Sequence, residues 1–576
     1  MTAERQRPAA RPSRILRARR GAIAIAMSLA LAGCGGIPMS GSVAAGPALG
    51  EVEPDYEVQP QEPQPGATPQ QILAGFMQAV GAPQNGYRVA REFLTPDLAA
   101  RWHPETGVSV RSGDATVSEA SDTTDTTPRL DYAFSGAASV DGAGRYRETG
   151  PTTHSIPFAF AKTDDGWRIS EAPEGIVLSQ IAFVRAFTAL PLYFFDTSGR
   201  YLVPDVRWFA SSGSTAQAAA AALVAGPDEW LAPAVVTQFP SGTTLGSGGA
   251  KVTAGRASVD LSAQAAAASP DALARMRQQL AATLAPLGVN EVSVTASGVP
   301  LGRGGDVNEP ARDPQPSGAV LVGTGTDFGF GAAAGVMPID GISSVIVAEE
   351  ATAVTLAHDQ VSAAYLAGDG TVKLVVKGDA VGRVIDSRPG LLAPTLDPAG
   401  FVWSATGSAI EAFTPDGKAV GLDVEDVPAD GRIASIAMSR DGTRLAVLLS
   451  SGAGSRLFVF AVARQNSVPT QLRSPLELPV PGGAPGGVAW VDDQTLVTAT
   501  GGTDASSGSR VVRLIPIGSP SDDLGLIGGD GVVVGGLGGR IGIRALAGGK
   551  VLAANSTSTL GWSDTGIAAT FLGVQQ

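Results

Sequence analysis

The segment Ala437-Met438-Ser439-Arg440-Asp441-Gly442-Thr443-Arg444-Leu445-Ala446-Val447 decides the fold of the C-terminal half of the chain. Apolar residues stand on both sides of a polar stretch that is centred on Asp441-Gly442. Asp followed by Gly is typical of a tight turn, because the Asp side chain bonds to nearby backbone and Gly accepts a positive φ. The segment therefore predicts a β-hairpin with Asp441 at its turn.

Three further segments repeat this pattern of apolar strand, Asp-centred turn and apolar strand. Their turns are centred on Asp369, Asp397 and Asp492, so the four turns are 28, 44 and 51 residues apart. These spacings bracket the length of a propeller blade, about 40–45 residues, and residues 319–576 have room for roughly six blades. Helical periodicity is almost absent from this part of the chain. Because no Trp-Asp signature recurs, the pattern resembles a degenerate WD40-like or TolB-like β-propeller.

Residues 68–190 pass from helical to alternating patterns. Thr68-Pro69 opens a helix, since an N-cap residue is followed by proline at the first helical position. Two short helices are predicted over residues 88–94 and 96–102. Period-two alternation then predicts strands, carried by Leu130, Tyr132, Phe134, Ile156, Phe158 and Phe160. Helices followed by an antiparallel sheet predict an α+β domain, and the pattern resembles the NTF2-like or cystatin-like superfamily.

A second α+β unit is predicted over residues 191–301. Two strands precede an alanine-rich helix capped by Ser214; a strand, a helix opened by Ser269-Pro270 and a closing strand follow. This ββαβαβ-like order resembles the GerMN domain of spore germination and sporulation proteins. The fragments that carry the resemblance best are Tyr201-Leu202-Val203-Pro204 and Ala225-Gly226-Pro227.

Two segments are rich in glycine and proline: one lies before the first unit and the other lies between the second unit and the propeller. Residues 302–318 are predicted to be a linker between the second unit and the propeller. Residues 34–67 are also rich in glutamate and are predicted to be a disordered tether. As a random coil this tether would span roughly 30 Å.

The N-terminus carries the pattern of a secretory signal. Seven arginines precede an apolar run over residues 22–32. The run is too short to cross the bilayer as a helix, which needs about 20 residues. It ends in Leu31-Ala32-Gly33-Cys34, which resembles the bacterial lipobox and contains the chain's single cysteine.

The lipobox resemblance implies that residues 1–33 are a lipoprotein signal peptide. It implies S-diacylglycerol attachment to the Cys34 thiol, cleavage before Cys34, and often N-acylation of the new amine with a fatty acid such as palmitate. Several acyl chains at about 0.8 kcal/mol per buried methylene hold a protein stably on a membrane. The expected location is the outer face of the cytoplasmic membrane. The alternative is that Cys34 is a buried cysteine inside an uncleaved signal anchor.

Composition excludes several function classes. The 576-residue chain has a net charge of −13, which leaves no basic footprint for nucleic acid. One cysteine excludes an internal disulfide framework and cysteine metal clusters. The three histidines, His103, His154 and His358, lie far apart in sequence. We therefore predict no metal and no cofactor.

The remaining catalytic candidates have simpler structural interpretations. His103 and Glu105 could form a His–Glu pair, but a surface loop after a helix is the favoured interpretation. Adjacent acids are attributed to turns, because glycosidase chemistry needs two carboxylates facing each other across a cleft. These pairs are Asp164-Asp165, Glu349-Glu350, Asp492-Asp493 and Asp522-Asp523. Gly329-Phe330-Gly331 with Ala334 is a partial dinucleotide fingerprint without a βαβ unit around it. The prediction is a protein that is not an enzyme.

The order of lipobox, α+β domain, GerMN-like domain and propeller resembles the LpqB family of actinobacterial lipoproteins. The resemblance implies an extracytoplasmic accessory protein of a two-component system of the MtrA–MtrB type. Its partner would be the extracytoplasmic sensor domain of the membrane histidine kinase, and its role would concern cell-wall homeostasis. Two alternatives stay open: a lipoprotein that binds cell-wall fragments such as a muropeptide or glycan, and a propeller hydrolase.

Overall fold

The computed structural model describes residues 60–316, 319–332, 334–425, 427–428, 430–501, 508–528, 531–535, 539–555 and 561–576. These residues belong to one compact unit. The helices are α1 (Pro69–Ala79), α2 (Gln84–Glu92), α3 (Pro96–Arg101), α4 (Gln180–Ala186), α5 (Thr215–Ala225), α6 (Pro270–Leu284) and α7 (Ser343–Ala348).

The N-terminal domain is a curved sheet covered by α1 to α4. Its strands are β1 (Gly107–Glu119), β2 (Arg129–Asp141), β3 (Tyr146–Glu148), β4 (Thr153–Thr163), β5 (Gly166–Glu171) and β6 (Ile176–Ser179). The sheet order is β5-β4-β2-β1-β6, and β3 pairs with the outer part of β2. The alternating apolar residues of β2 and β4 face a core in which the rings of Phe76 and Trp102 lie 5.4 Å apart. The predicted α+β architecture is confirmed.

Helix α1 begins where the sequence predicts. The Thr68 hydroxyl accepts a hydrogen bond from the Gln71 amide at 3.3 Å, and the Gln71 side chain accepts one from the Thr68 amide at 2.9 Å. Two amide groups at the helix start are thereby satisfied reciprocally, and Pro69 has no amide hydrogen to satisfy. The amphipathic spacing buries Ile72 and Phe76 against the sheet.

The middle domain packs α5 and α6 against two small sheets. Its strands are β7 (Phe187–Asp196), β8 (Leu202–Ala210), β9 (Val235–Val236), β10 (Leu245–Thr253), β11 (Arg256–Leu261), β12 (Glu291–Ala296) and β13 (Val299–Pro300). The sheet orders are β8-β7-β9 and β10-β11-β12-β13. Strands β11 and β12 are parallel and are connected through α6, whose N-cap Ser269 accepts the Ala272 amide.

The middle domain has three strands beyond the predicted ββαβαβ order, namely β9, β10 and β13. Strand β10, which forms a hairpin with β11, was missed because its sequence is rich in glycine and serine. Gly246 and Gly248 are required there, since a Cβ at either position would overlap the Asp260 side chain. Ser214 stands at the N-cap of α5 as predicted, but its side chain makes no capping hydrogen bond.

The strands after residue 320 form the propeller. They are β14 (Leu321–Gly323), β15 (Phe328–Ala332), β16 (Gly335–Pro338), β17 (Ala353–Leu356), β18 (Ser362–Leu366), β19 (Val372–Val376), β20 (Arg383–Asp386), β21 (Thr395–Leu396), β22 (Val402–Ala405), β23 (Ile410–Phe413), β24 (Ala419–Val420), β25 (Asp423–Val424), β26 (Gly431–Met438), β27 (Arg444–Ser451), β28 (Gly454–Gln465), β29 (Val468–Leu478), β30 (Pro485–Trp490), β31 (Thr495–Gly501), β32 (Arg510–Pro516), β33 (Asp522–Ile527), β34 (Val532–Val534), β35 (Arg544–Ala547), β36 (Lys550–Ala554), β37 (Trp562–Ala568) and β38 (Phe571–Gln575).

These strands make six blades. Five of them follow the chain, as β17–β20, β21–β24, β26–β29 with β25 added, β30–β33 and β34–β37. The remaining blade joins β14, β15 and β16 to β38, so the last strand of the chain completes the first blade. Strand β38 also pairs in parallel with β17 of the next blade, through Thr355 and Val574. The all-β propeller with roughly six blades is confirmed.

The Asp-centred turns recur at one position of the blade. In four consecutive blades an Asp follows the inner strand and its carboxylate accepts a backbone amide two residues later. These residues are Asp359, Asp397, Asp441 and Asp492, at spacings of 38, 44 and 51. The predicted turn at Asp369 exists, but it joins β18 to β19 and so lies one hairpin further along its blade. Because Asp369 lies in the second hairpin of its blade, its distance of 28 residues to Asp397 is shorter than the spacing between equivalent turns.

Candidate functional site

The inner strands of the blades surround a central channel. Its cavity has a volume of about 840 Å³ and is lined by β17, β21, β26, β30, β34 and β38. Most lining side chains are small and uncharged. Among the described residues that line it, Arg440 and Arg510 are the charged ones.

The two arginines lie at opposite ends of β30. Near its last residue, Arg440 donates a hydrogen bond to the Val491 carbonyl at 3.1 Å. Near its first residues, Arg510 donates to the Gly531 carbonyl at 2.7 Å, and a Cβ at Gly486 would overlap the Arg510 guanidinium. Guanidinium groups beside hydroxyl and amide groups can hold an anion or a polar ligand by hydrogen bonds. The channel is therefore suited to binding.

Trp403 and Trp490 occupy the positions expected of blade residues. The Trp403 ring is fully buried, and its indole N–H donates to Asp397 at 3.1 Å. Trp490, at the edge of the channel, donates to the Ala437 carbonyl at 3.0 Å and carries the Arg444 guanidinium over its ring. Trp403 therefore bonds within its own blade, whereas Trp490 of one blade bonds to β26 of the blade before it.

A second candidate surface is the junction of the three domains. A cavity of about 540 Å³ lies there, between β3, the middle-domain segment 228–230, the end of β29 with Pro479, and the end of β32 with the turn that follows it. Two direct bonds cross this junction from the N-terminal domain: Glu148 accepts the Ser521 amide at 2.6 Å and the Ser521 hydroxyl at 3.0 Å. The junction therefore couples the N-terminal domain to the propeller.

A buried ion pair connects the N-terminal and middle domains. The Arg207 guanidinium makes two bonds with the Asp205 carboxylate, at 2.9 and 2.7 Å, and a third to the Ala143 carbonyl at 3.1 Å. Asp205 also accepts the Asp228 amide at 2.8 Å, and Asp228 in turn pairs with Arg145 at 3.1 Å. The charges are thus compensated within one network that spans both domains.

The sequence-predicted lipid site lies outside the described residues. This holds for Cys34, for the lipobox residues Leu31, Ala32 and Gly33, and for the signal peptide and the tether up to residue 59. The lipid attachment therefore stays a prediction. Among the described residues, no helix is both long and apolar enough to span a bilayer.

The histidine candidates do not converge. His103 Nδ1 lies 2.8 Å from a Glu105 carboxylate oxygen, but both side chains are largely exposed, at 60 % and 67 %. His154 stacks on Phe134 with ring centroids 5.3 Å apart, and His358 lies in the exposed turn before Asp359. The described part of the chain contains no group of three His, Cys, Asp or Glu side chains that could hold a metal.

The paired acids divide between turns and ion pairs. Asp164-Asp165 form the turn between β4 and β5, and Glu349 pairs with Lys373 at 2.7 Å. Asp522 and Asp523 point to different partners, Arg540 and Arg513. The segment Gly329-Phe330-Gly331 lies in β15 between antiparallel neighbours, so the partial fingerprint is not a nucleotide loop.

The sequence pattern attributes both Asp492 and Asp493 to turn formation, and for Asp493 this interpretation is wrong. Its neighbour Asp492 makes the turn, whereas Asp493 is 8 % exposed and its Oδ2 has no hydrogen-bond partner among the described residues. Burial raises the pKa of Asp493 to about 7, opposed by Arg444 and reinforced by Asp313 and Asp492. The sequence offered one sign of this difference: the turn at Asp492 is followed by a second acid, whereas the equivalent turns of the three preceding blades contain a single Asp.

Three family models match the chain in sequence order. The N-terminal domain of lipoprotein LpqB matches residues 62–184, a model described as sporulation and spore germination matches residues 191–302, and the LpqB β-propeller domain matches residues 331–566. Together with the fold, these matches define a multidomain lipoprotein built from an α+β domain, a GerMN domain and a β-propeller. The chain belongs to the LpqB family of lipoproteins.

Proteins named lipoprotein LpqB from several actinobacteria are similar to this chain. Lipoprotein LpqB of Cutibacterium acnes is 34% identical over 49% of this chain, and the match covers 47% of that relative, about half its length. Lipoprotein LpqB of Streptomyces avermitilis is 25% identical over 76% of this chain and 78% of the relative. The solved tandem GerMN domains of GerM from Bacillus subtilis align with 24% of this chain and 56% of theirs, at 18% identity and a TM-score of 0.17.

Proposed function

We propose that this protein is a non-enzymatic lipoprotein, anchored through Cys34 to the outer face of the cytoplasmic membrane, that regulates a membrane sensor kinase. The partner would be the extracytoplasmic sensor domain of a histidine kinase of the MtrB type, acting in cell-wall homeostasis. The lipid would confine the protein to the membrane surface. Confinement raises its effective concentration near a membrane-bound partner without any added contact.

The observation that supports this proposal most is the coupling of the three folded domains into one body. The Trp208 side chain packs in the N-terminal core and bonds to the propeller, while the Arg207–Ala143 and Glu148–Ser521 bonds join domains in the same region. A recognition surface made by three domains keeps its shape only if they are fixed to one another. Fixed domains lose little conformational entropy on binding.

The net negative charge of the protein is consistent with a lipid anchor and a tether that separates the folded domains from the membrane surface. Removal of residues 1–33 would delete seven arginines and Glu4, so the net charge would change from −13 to −19. Anionic headgroups repel such a body. The acyl chains would hold it, and the predicted tether of residues 34–67 would keep it off the bilayer.

The direct test is binding between purified components. The full chain, purified in detergent, would be passed over the immobilised extracytoplasmic domain of the kinase, with an unrelated sensor domain as the control surface. We expect saturable binding to the kinase domain alone. Equal binding to both surfaces, or to neither, would contradict the proposed partner.

The second candidate function is binding of a cell-wall fragment, and the central channel favours it. Ala393 is exposed and lines the cavity, so Ala393→Phe would obstruct the channel without entering a core. Ala399 is also exposed but lies in the turn after Asp397, outside the cavity lining, and Ala399→Phe is the matched control. Muropeptide binding that is lost in the first variant and kept in the second would favour this function. Kinase-domain binding unaffected by either variant would separate the two functions.

A further inference from the structure

The segment predicted to be a linker lies against the middle domain between Gly305 and Ala311. We call residues 302–316 the strap. Its Gly305 amide donates to the Pro270 carbonyl at 2.7 Å, and its Asn308 carbonyl accepts the Gln278 side chain at 3.1 Å. Further along, Ala311 pairs with the start of β8: the Ala311 amide donates to Arg200 at 2.8 Å, and Leu202 donates to Ala311 at 2.9 Å.

The strap ends on a turn of the propeller. The Asp313 carboxylate accepts the backbone amide of Asp493 at 3.0 Å. Asp313 has a φ of 41°, a left-handed conformation that costs a non-glycine residue energy. The contact with Asp493 therefore helps to hold Asp313 in this conformation.

Carboxylates outnumber the available positive charges at this contact. Asp313 comes from the strap, and Asp492 and Asp493 come from the turn between β30 and β31. Arg440 acts on Asp313 and Arg444 acts on Asp493 as opposing positive charges, but the Arg444 guanidinium is already bonded to the buried carboxylate of Asp441. From the other sides, Tyr193 of β7 and Arg312 of the strap are the groups that face the cluster.

Protonation of a carboxylate in this cluster reduces the repulsion between the acids. Burial and the neighbouring acids raise the pKa of Asp493 to about 7, and burial together with Asp492 raises the pKa of Asp313. Release of the strap would return the Asp313 carboxyl to water, where its pKa is about 3.9, and would remove the Asp313 charge that helps to raise the pKa of Asp493. The docked strap therefore binds more protons than the released strap, so rising pH weakens docking.

We propose that Asp313, Asp492 and Asp493 form a proton-controlled latch that fastens the strap, and through it the middle domain, to the propeller. At mildly acidic pH the latch is closed, because one carboxyl of the cluster is neutral. At alkaline pH Asp313 and Asp493 are both ionised, and the end of the strap separates from the turn.

Hydrogen exchange of the full chain at pH 5.5 and pH 8.5 tests the latch. The protection of strap amides such as Ala311, corrected for the intrinsic pH dependence of exchange, should fall on the order of tenfold or more between these values. Amides of β11 in the same domain should keep their protection, which separates release of the strap from global unfolding. Equal strap protection at the two pH values would overturn the proposal.

Substitutions then identify the titrating groups. Asp493→Asn keeps the size of the side chain and imitates the neutral acid, so strap protection should stay high at both pH values. Asp340→Asn is the matched control, because the Asp340 side chain is 89% exposed and should leave the wild-type response unchanged. If Asp493→Asn does not fold, Asp313→Asn should also flatten the response. A wild-type pH response in both latch variants would overturn the assignment.

Discussion

The indole N–H of Trp208 donates a hydrogen bond to the Gly518 carbonyl at 2.8 Å, joining residues that are 310 positions apart. The ring of Trp208 lies 4.5 Å from that of Phe183 and 5.9 Å from that of Tyr146, centroid to centroid. Trp208 belongs by sequence to a middle-domain strand, packs in the N-terminal core and bonds to the propeller. A single side chain therefore connects three domains.

Trp208→Phe should loosen the propeller from the other two domains. Phenylalanine keeps an aromatic ring but cannot donate to Gly518, and loss of the partner of this part-buried carbonyl costs about 1 kcal/mol. Faster hydrogen exchange in residues 515–521 would report the loss. Trp167→Phe is the control, because Trp167 lies at a β5 position within the N-terminal domain. Unchanged exchange in the Trp208 variant would contradict the coupling role.

Arg207→Met should destabilise the protein strongly. It leaves the Asp205 carboxylate buried without its cation, a change that typically costs about 3–5 kcal/mol. The matched control is Arg256→Met, since Arg256 pairs with Glu291 on the surface, where both side chains are 74% and 60% exposed. That pair should contribute less than about 1 kcal/mol. Urea unfolding of both variants measures the difference, and equal midpoints would contradict the predicted destabilisation.

Gly323→Ala should weaken closure of the propeller. A Cβ at Gly323 would overlap the ring of Phe571 in β38, which stacks on Phe328 at a centroid distance of 6.0 Å. Overpacking of this kind costs about 1–3 kcal/mol. Gly452→Ala is the control, because a Cβ there meets nothing within 4 Å. Limited proteolysis should release the C-terminal strand sooner in the first variant, and similar cleavage of the two would contradict this role of Gly323.

Cys34→Ala should abolish lipid attachment while the fold is retained, because residues 60–576 form their compact unit without Cys34. Metabolic labelling with a clickable fatty acid measures the attachment. We expect label on the wild-type protein and none on the variant, which should leave the membrane or accumulate as an uncleaved precursor. Label that persists on the Cys34→Ala protein would refute the anchor.

Sequence patterns predicted the features that depend on local chemistry. The helix start at Thr68-Pro69 and the turn at Asp441 follow from which side chains can satisfy nearby backbone groups, and a single sequence contains that information. The docked strap and the buried state of Asp493 depend on residues that meet from distant positions. Asp313 and Asp493 are separated by 180 residues, and no periodicity links them. Likewise, the glycines of β10 are explained by Asp260, which the strand meets only in the folded sheet.

The proposed role is tested most directly by what the protein contacts in its own membrane. Living cells that produce the full chain, or the Cys34→Ala variant, would be treated with a mild crosslinker, and the partners purified from membranes and quantified by mass spectrometry. We expect the sensor histidine kinase to be enriched with the wild-type chain and lost with the variant. Recovery of the chain from the cytosol with residues 1–33 still attached, and without the kinase, would contradict the proposal.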